Sequence, residues 1–402
     1  MLNAYIYDGL RTPFGRHAGE LASIRPDDLA ALVIQRLIEK TGVPGADIED
    51  VILGDTNQAG EDSRNIARHA VLLAGLPVTV PGQTINRLCA SGLGAVIDSA
   101  RAITCGEGDL YIAGGVESMS RAPFVMGKAE SAFSREAKIY DTTIGTRFPN
   151  KKITAQFGGH SMPETGDNVA VEYGIDRAQA DQFAADSQAK YQQAKQDGFF
   201  TDEITPVEVP QGKKLPPKLI CEDEHPRPSS TVDALSKLKP LFEGGVVTAG
   251  NASGINDGAA ALLIGSEQAG QKYGLKPMAK ILSAAAAGIE PRIMGAGPIE
   301  AIKKAVQRAG LTLDDLDIIE INEAFASQVL SCLKGLDISF DDPRVNPNGG
   351  AIAIGHPLGA SGARLALTVA RELQRRNKRY AVVSLCIGVG QGLAMVIENV
   401  SG

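Results

Sequence analysis

The chain has 402 residues, 44% hydrophobic and 22% charged, with 45 glycines and no tryptophan. That length suits a globular chain of two or three structural units, and glycine-rich, aromatic-poor usage suits α/β layers that approach one another closely. A net charge of −7 argues against nonspecific nucleic-acid binding, but leaves room for a small anionic substrate met by a local basic patch.

In chain order, the opening "MLNAYIYDGLRTPFG" lacks the basic and apolar regions of a signal peptide. "VIQRLIEKTGVPGADIEDVILGD", Val33 to Asp55, reads as an amphipathic helix, a glycine stop at Gly42, an acidic turn and a buried strand. "NRLCASG" leads into a helix whose small residues begin directly after Cys89, and "DLYIAGGVESMS" is a second strand. From 121 to 247 the texture turns polar and loop-rich. A helix-like run there, "RAQADQFAADSQAKYQQAKQDG", is expected to be N-capped by Asp176. "NASGINDGAAALLIG" then reads as the last strand of the first half. "IKKAVQRAGLTLDDLDIIEINEA", "GASGARLALTVAREL" and "RYAVVSLCIGVG" repeat the earlier order of helix, strand, small-residue turn, helix, strand and glycine-rich turn.

The repeat has a near-constant offset. Gly42 matches Gly310 and Ile48 matches Leu316 at 268 residues, while Ser91 matches Ser361 and Ala113 matches Val383 at 270. The expected architecture is therefore α/β, two similar halves packed together with equivalent turns near a shared centre. Their boundaries are 1–120 plus 248–272 for the first half, 121–247 for an inserted loop domain, and 273–402 for the second half.

Four segments carry candidate chemistry. Cys89, at a helix start, is either an inert buried thiol or a nucleophile whose thiolate is stabilised by the helix N-terminus. His356, pinned between Gly355 and Pro357 in "NPNGGAIAIGHPLGASG", is either a turn histidine bonded to backbone or a base for a thiol. His17, His69, His160 and His225 sit in ordinary surface or structural settings. Cys386 ends the strand-like "YAVVSLC" and enters a turn whose glycines let N–H groups converge on an anion. Asn322 and Glu323, at the end of "LDIIE", are either a cap or a place from which an amide orients a water or a carbonyl.

"NRLCASG", "GGVESMS", "NASGINDGAA", "NEAFA", "GGAIAIGHPLGASGAR" and "CIGVGQG" together resemble the thiolase family, from "RTPFG" at residue 11 nearly to the C-terminus. The resemblance implies a duplicated αβαβα layered fold. It also implies acyl transfer with coenzyme A as a substrate and no permanently bound cofactor. By that resemblance Cys89 is the acylated nucleophile, His356 its base, and Cys386 the group that exchanges a proton with the carbon fragment. Asn322 holds a water in one oxyanion hole beside His356, and the N–H groups of Cys89 and Gly388 form a second. Ser253 lies on the pantetheine path, Arg227 near the CoA nucleotide, and Met162 at the acyl pocket. A homotetramer, a dimer of dimers, is implied, with "MGKAESAFSREAKIYDTTIG" as the linking segment.

Within that family, "NQAGEDSRNIAR", "SAFSREAKIYDTTIGTRF" and "HSMPETGDNVA" resemble the branch that cleaves 3-oxoadipyl-CoA, a dicarboxylic acyl chain. The rival branches are general 3-ketoacyl-CoA thiolases and acetyl-CoA acetyltransferases. Ser161 stands before Met162 where the acetoacetyl-specific branch has a histidine, and Thr146 stands where a tryptophan is expected. A distal carboxylate wants a cation, for which Arg147 and Arg64 are candidates. Pairing of these arginines with Asp141 or Glu61 is the competing expectation. A non-catalytic acyl-CoA carrier is disfavoured by two thiols and a base, and a hydroxymethylglutaryl-type synthase by the second cysteine. Five cysteines without a CxxC pair imply neither a metal cluster nor a disulfide scaffold. No apolar stretch is expected to span a membrane, "IENVSG" is not a peroxisomal tripeptide, and the expected location is the cytoplasm.

Overall fold

A computed structural model describes residues 1–400. The first-half strands are β1 (Ala4–Arg11), β2 (Asp50–Gly54), β3 (Gly82–Ile85), β4 (Leu110–Ser118) and β5 (Asn256–Gly265); those of the second are β6 (Ala279–Gly288), β7 (Ile318–Ile321), β8 (Tyr380–Ile387) and β9 (Gln391–Glu398). The first half orders them β1-β5-β4-β2-β3 and the second β6-β9-β8-β7, joined by antiparallel pairing of β1 with β6. In each half two antiparallel pairings are followed by a parallel one. Where the first half adds β3, the second has only a parallel bridge between Ile319 and Val345.

Helices α1 (Pro26–Thr41) and α2 (Ser91–Cys105) belong to the first half. Inserted between the halves are α3 (Met162–Tyr173) and α4 (Arg177–Gln196). The second half carries α5 (Gly297–Arg308), α6 (Ala326–Gly335) and α7 (Leu358–Arg376). Helices α2 and α7 pack on each other in the centre, α1 covers the first set of strands and α5 the second. Strand periodicity explains the layering: Ala4 and Ile6 face the central core with Ala260, Leu262 and Ile264, whereas Tyr5 and Tyr7 join α1 with Ala259, Ala261 and Leu263. Leu88–Cys105 proves long and apolar enough to cross a membrane, contrary to the sequence expectation, yet it comprises this central helix with the turn before it and is mostly buried.

Both expected glycine stops are left-handed, Gly42 at φ 67° after α1 and Gly310 at φ 73° after α5. Asp176 caps α4, accepting the Gln179 N–H at 2.9 Å. The inserted stretch carries more helix than its loop-like composition implied. Val169, Ala170, Phe183 and Ala184 of α3 and α4 lie in one core with Ile302, Ile319 and Leu330 of the second half.

Arg11 ties β1 to the insertion. Its Nε donates to Glu203 at 2.6 Å, and its two terminal nitrogens fork onto Asp223 at 2.6 and 2.9 Å, all fully or nearly fully buried. Tyr191 Oη and the Phe14 N–H also donate to Asp223. Removing one partner of a buried charge network strands the others. Arg11→Met is therefore expected to cost about 3–5 kcal/mol, read as a lower urea unfolding midpoint.

Candidate active site

The chain turns sharply between β3 and α2. The Leu88 backbone is left-handed at φ 45°, a costly geometry for a branched side chain. Ser91 fixes the turn: its Oγ accepts the Arg87 N–H at 2.8 Å and donates to Leu88 O at 2.6 Å. Cys89 sits half-buried at the apex. Burial pushes its thiol up to about 11, helped by the Glu117 charge and opposed by the N–H groups of Gly388 and of Cys89 itself. The donors expected at the helix start are present, but desolvation outweighs them and holds the thiol above its ordinary range.

His356 precedes α7 and is buried. Its Nδ1 lies 2.7 Å from Ser361 Oγ, and Ser361 Oγ donates its one proton to Pro357 O at 2.9 Å. Nδ1 must therefore carry the hydrogen, which leaves Nε2 as the acceptor. Burial, then the Arg364 charge, pushes the imidazole down to about 3, so it is neutral. Its Nε2 faces Asn322 Nδ2 at 3.4 Å.

Asn322 follows β7 and is fully buried, its N–H on Ser384 O at 2.9 Å and its Oδ1 without a protein partner. Its neighbour Glu323 is an anchor: Ser187 Oγ, Asn346 Nδ2 and the Ile352 N–H all donate to it. Cys386, near the end of β8, is buried among Val247, Met294, Ala324 and Phe325. Burial, then the neighbouring Cys89, holds its thiol well above the ordinary range. Gly388 aims its N–H at Cys89 and lies beside Met162, whose Sδ is 3.7 Å from where a Gly388 Cβ would stand. The next residue, Val389, is left-handed at φ 65°. Two thiols and the Gly388 N–H thus come together, and an imidazole and an amide face each other at the start of α7 and the end of β7.

The outer residues are more dispersed. Ser253 donates its N–H to Ala324 O at 2.9 Å, which places it beside the Cys386 cluster. The Arg227 side chain is exposed and its N–H donates to Gln188. Between them the His225 ring packs on Gly254, and burial, Arg227 and Arg16 push it down to about 4. Ser161 is the N-cap of α3, its N–H taken by Glu164 at 2.6 Å, while His160 is exposed. The anticipated pairing of the two arginines with local acids does not occur. Glu61 pairs with Arg121 and Arg25, Asp141 accepts the Thr143 N–H, and neither Arg147 nor Arg64 has a hydrogen bond or ion pair among the described residues. Sequence reasoning missed Ser361 as the partner of His356, although the duplication had already matched it to Ser91. It also missed Asn256, which accepts the His356 N–H at 2.9 Å, and Glu117, which accepts those of Thr56, Asn57 and Gly359.

Sequence models of the thiolase N-terminal and C-terminal domains match residues 4–268 and 275–399. This chain belongs to the thiolase family. As such it is an acyltransferase enzyme. The chain is 57% identical over 402 residues, 100% of both chains, to the beta-ketoadipyl-CoA thiolase of Acinetobacter baylyi. It is equally similar, over the same full lengths, to the 3-oxoadipyl-CoA/3-oxo-5,6-dehydrosuberyl-CoA thiolase of Escherichia coli K12, 57% identical over 402 residues. The human mitochondrial 3-ketoacyl-CoA thiolase solved in complex with CoA superposes with a TM-score of 0.91 at 38% identity, covering 99% of this chain and 98% of the other.

The protonated resting thiol is testable. Alkylation by iodoacetamide requires the thiolate, so labelling of Cys89 without substrate is expected to quicken about tenfold per pH unit from about pH 7 to about pH 10. A plateau already reached by about pH 8 would mean that the backbone donors outweigh burial.

Proposed function

We propose that the enzyme cleaves 3-oxoadipyl-CoA with CoA, giving succinyl-CoA and acetyl-CoA. What supports this reading is the nearness of the Cys89 and Cys386 thiols, together with an imidazole, His356, carried at the start of the helix that packs on the one following Cys89. Nε2 takes the Cys89 proton, and the thiolate adds to the 3-keto carbon. Collapse of the adduct breaks the C2–C3 bond, leaving a succinyl thioester on Cys89 and the acetyl-CoA enolate, whose carbon takes a proton from Cys386. The CoA thiol then attacks the thioester, its proton returning to Cys386, and the Cys89 sulfur leaves with the proton held by His356. Splitting the reaction at a covalent thioester replaces one hard step by two easier ones. One oxyanion is held by His356 with a water on Asn322, whose Oδ1 has no protein partner; the other by the N–H groups of Cys89 and Gly388.

The dicarboxylic substrate is supported by the full-length likeness to the two ketoadipyl-CoA thiolases. Arg147, uncommitted to any acid, is our candidate cation for the distal carboxylate, and Met162 forms part of the acyl pocket. Arg227 and Ser253 are proposed to line the CoA path. A homotetramer is supported by the exposed apolar side chains of Phe124, Met126, Phe133 and Ile139, which have no core of their own to fill.

Profiling the purified enzyme with CoA and a panel of 3-oxoacyl-CoA thioesters tests the substrate, and mass spectrometry is expected to find the acyl adduct on the Cys89 peptide. Preference for acetoacetyl-CoA, or an adduct confined to Cys386, would overturn the reading. Arg147→Ala is expected to lower kcat/KM for 3-oxoadipyl-CoA about ten- to a hundredfold, the worth of a charge-assisted hydrogen bond, while sparing acetoacetyl-CoA. In Cys386→Ser, Cys89 should still be acylated by acetyl-CoA while carbon–carbon cleavage is severely slowed, because the carbon acid is lost and the nucleophile retained. Light scattering is expected to report four subunits.

A further inference from the structure

The His356 ring is held by its own helix through Ser361, but its main chain is held from the other half of the molecule. Asn256 is the first residue of β5 and is fully buried. Its side-chain amide is used at both ends: Oδ1 accepts the His356 N–H at 2.9 Å, and Nδ2 donates to Gly15 O at 2.9 Å. The fit is tight on the approach side. A Cβ on Gly355 would stand 2.6 Å from Asn256 Cγ, and Gly355 is at φ 108°, so residue 355 leaves its space to the amide. The His356 N–H has no helical acceptor, because α7 begins only at Leu358.

We infer that Asn256 is the positioning residue of His356: it joins the strand of one half to the peptide that carries the base of the other, and so sets where Nε2 points. This rests on the assignment of His356 as the base. Asn256 is not placed to touch the substrate; it acts through the peptide. Two bonds define the imidazole, Nδ1 to Ser361 and the peptide N–H to Asn256. Without the second, the Gly355–His356 peptide is free to rotate, and the ring shifts against Asn322, which is held independently on β7 through Ser384. Ångström-scale misplacement of a reacting group costs on the order of a hundredfold in rate.

The test uses the full-length enzyme with acetoacetyl-CoA and CoA. Asn256→Leu keeps the side-chain bulk and removes both hydrogen-bonding ends. Its kcat is expected to fall about a hundredfold with KM changed less than about threefold, and acylation of Cys89 by acetyl-CoA is expected to slow in parallel. Asn256→Asp still offers an oxygen to the His356 N–H and is expected to recover kcat to within about tenfold of the parent. Asp recovering no more than Leu, or KM rising while kcat holds, would overturn the assignment. Loss of activity only in proportion to unfolded protein, followed by circular dichroism, would also overturn it. If His356→Ala itself acylated Cys89 at the parental rate, the underlying assignment of the base would fall instead, a result the Asn256 variants cannot produce.

Discussion

The contact on which the rest of the molecule depends is the crossing of α2 and α7 at their N-terminal ends, where backbone meets backbone. A Cβ on Gly92 would stand 2.5 Å from Gly359 O, and one on Gly362 would stand 2.3 Å from Leu93 N. No side chain fits there, so the helices approach as closely as peptide groups allow. Cys89 lies two residues before α2 and His356 two before α7, so this approach carries the Cys89 turn of one half toward the His356 turn of the other. It also points two helix N-termini at that place, which favours negative charge developing there. Glu117 supports the junction: its carboxylate takes the orphan N–H of Gly359 at 2.9 Å together with those of Thr56 and Asn57, and burial pushes its carboxyl up to about 7.

The duplication supplies the frame and divergence supplies the chemistry. Ser91 and Ser361 are equivalent, and each Oγ donates to a carbonyl three or four residues back, Leu88 O and Pro357 O. In the first half the serine braces the turn that carries a thiol; in the second the same hydroxyl also faces an imidazole nitrogen. The strand ends diverge in the same way. Asp55 after β2 is a buried acid, while after β7 the chain presents Asn322 toward His356 and turns Glu323 into an anchor for the surrounding main chain.

What could be read from the sequence is what local pattern encodes. Period-two alternation, glycine stops at Gly42 and Gly310 and the Asp176 cap each depend on a few neighbouring residues, and the repeat offset carried the topology. Four short motifs sufficed to single out Cys89, His356, Cys386 and Asn322, of which the fold sets Cys89 near Cys386 and His356 against Asn322. The helix-start donors at Cys89 are visible locally, whereas the burial that outweighs them and the Glu117 charge that adds to it come from segments far away in sequence. Asn256 and Glu117 escaped notice because their bonds span 100 and 242 residues and leave no periodic trace. The freedom of Arg147 and Arg64 was hidden for a related reason: Arg121 and Arg25 take Glu61, a competition that sequence spacing does not reveal.

At rest the groups that meet here are uncharged: burial keeps both thiols protonated and the imidazole neutral. Each state is the one a dry site favours, since an isolated buried charge is costly. Under the proposed mechanism, charge appears only as the reaction proceeds, first on a sulfur that gives up its proton and then on an oxygen. The donors for those charges, the N–H groups of Cys89 and Gly388 and the amide of Asn322, are already fixed by β8, by α2 and by the end of β7. Fixed donors in a low-dielectric pocket act strongly on a charge that forms beside them and require little rearrangement when it does. The same burial that makes Cys89 a poor thiolate in the empty enzyme therefore strengthens the stabilisation of the anions that follow, which is why raised thiol values and a depressed imidazole belong together in this site.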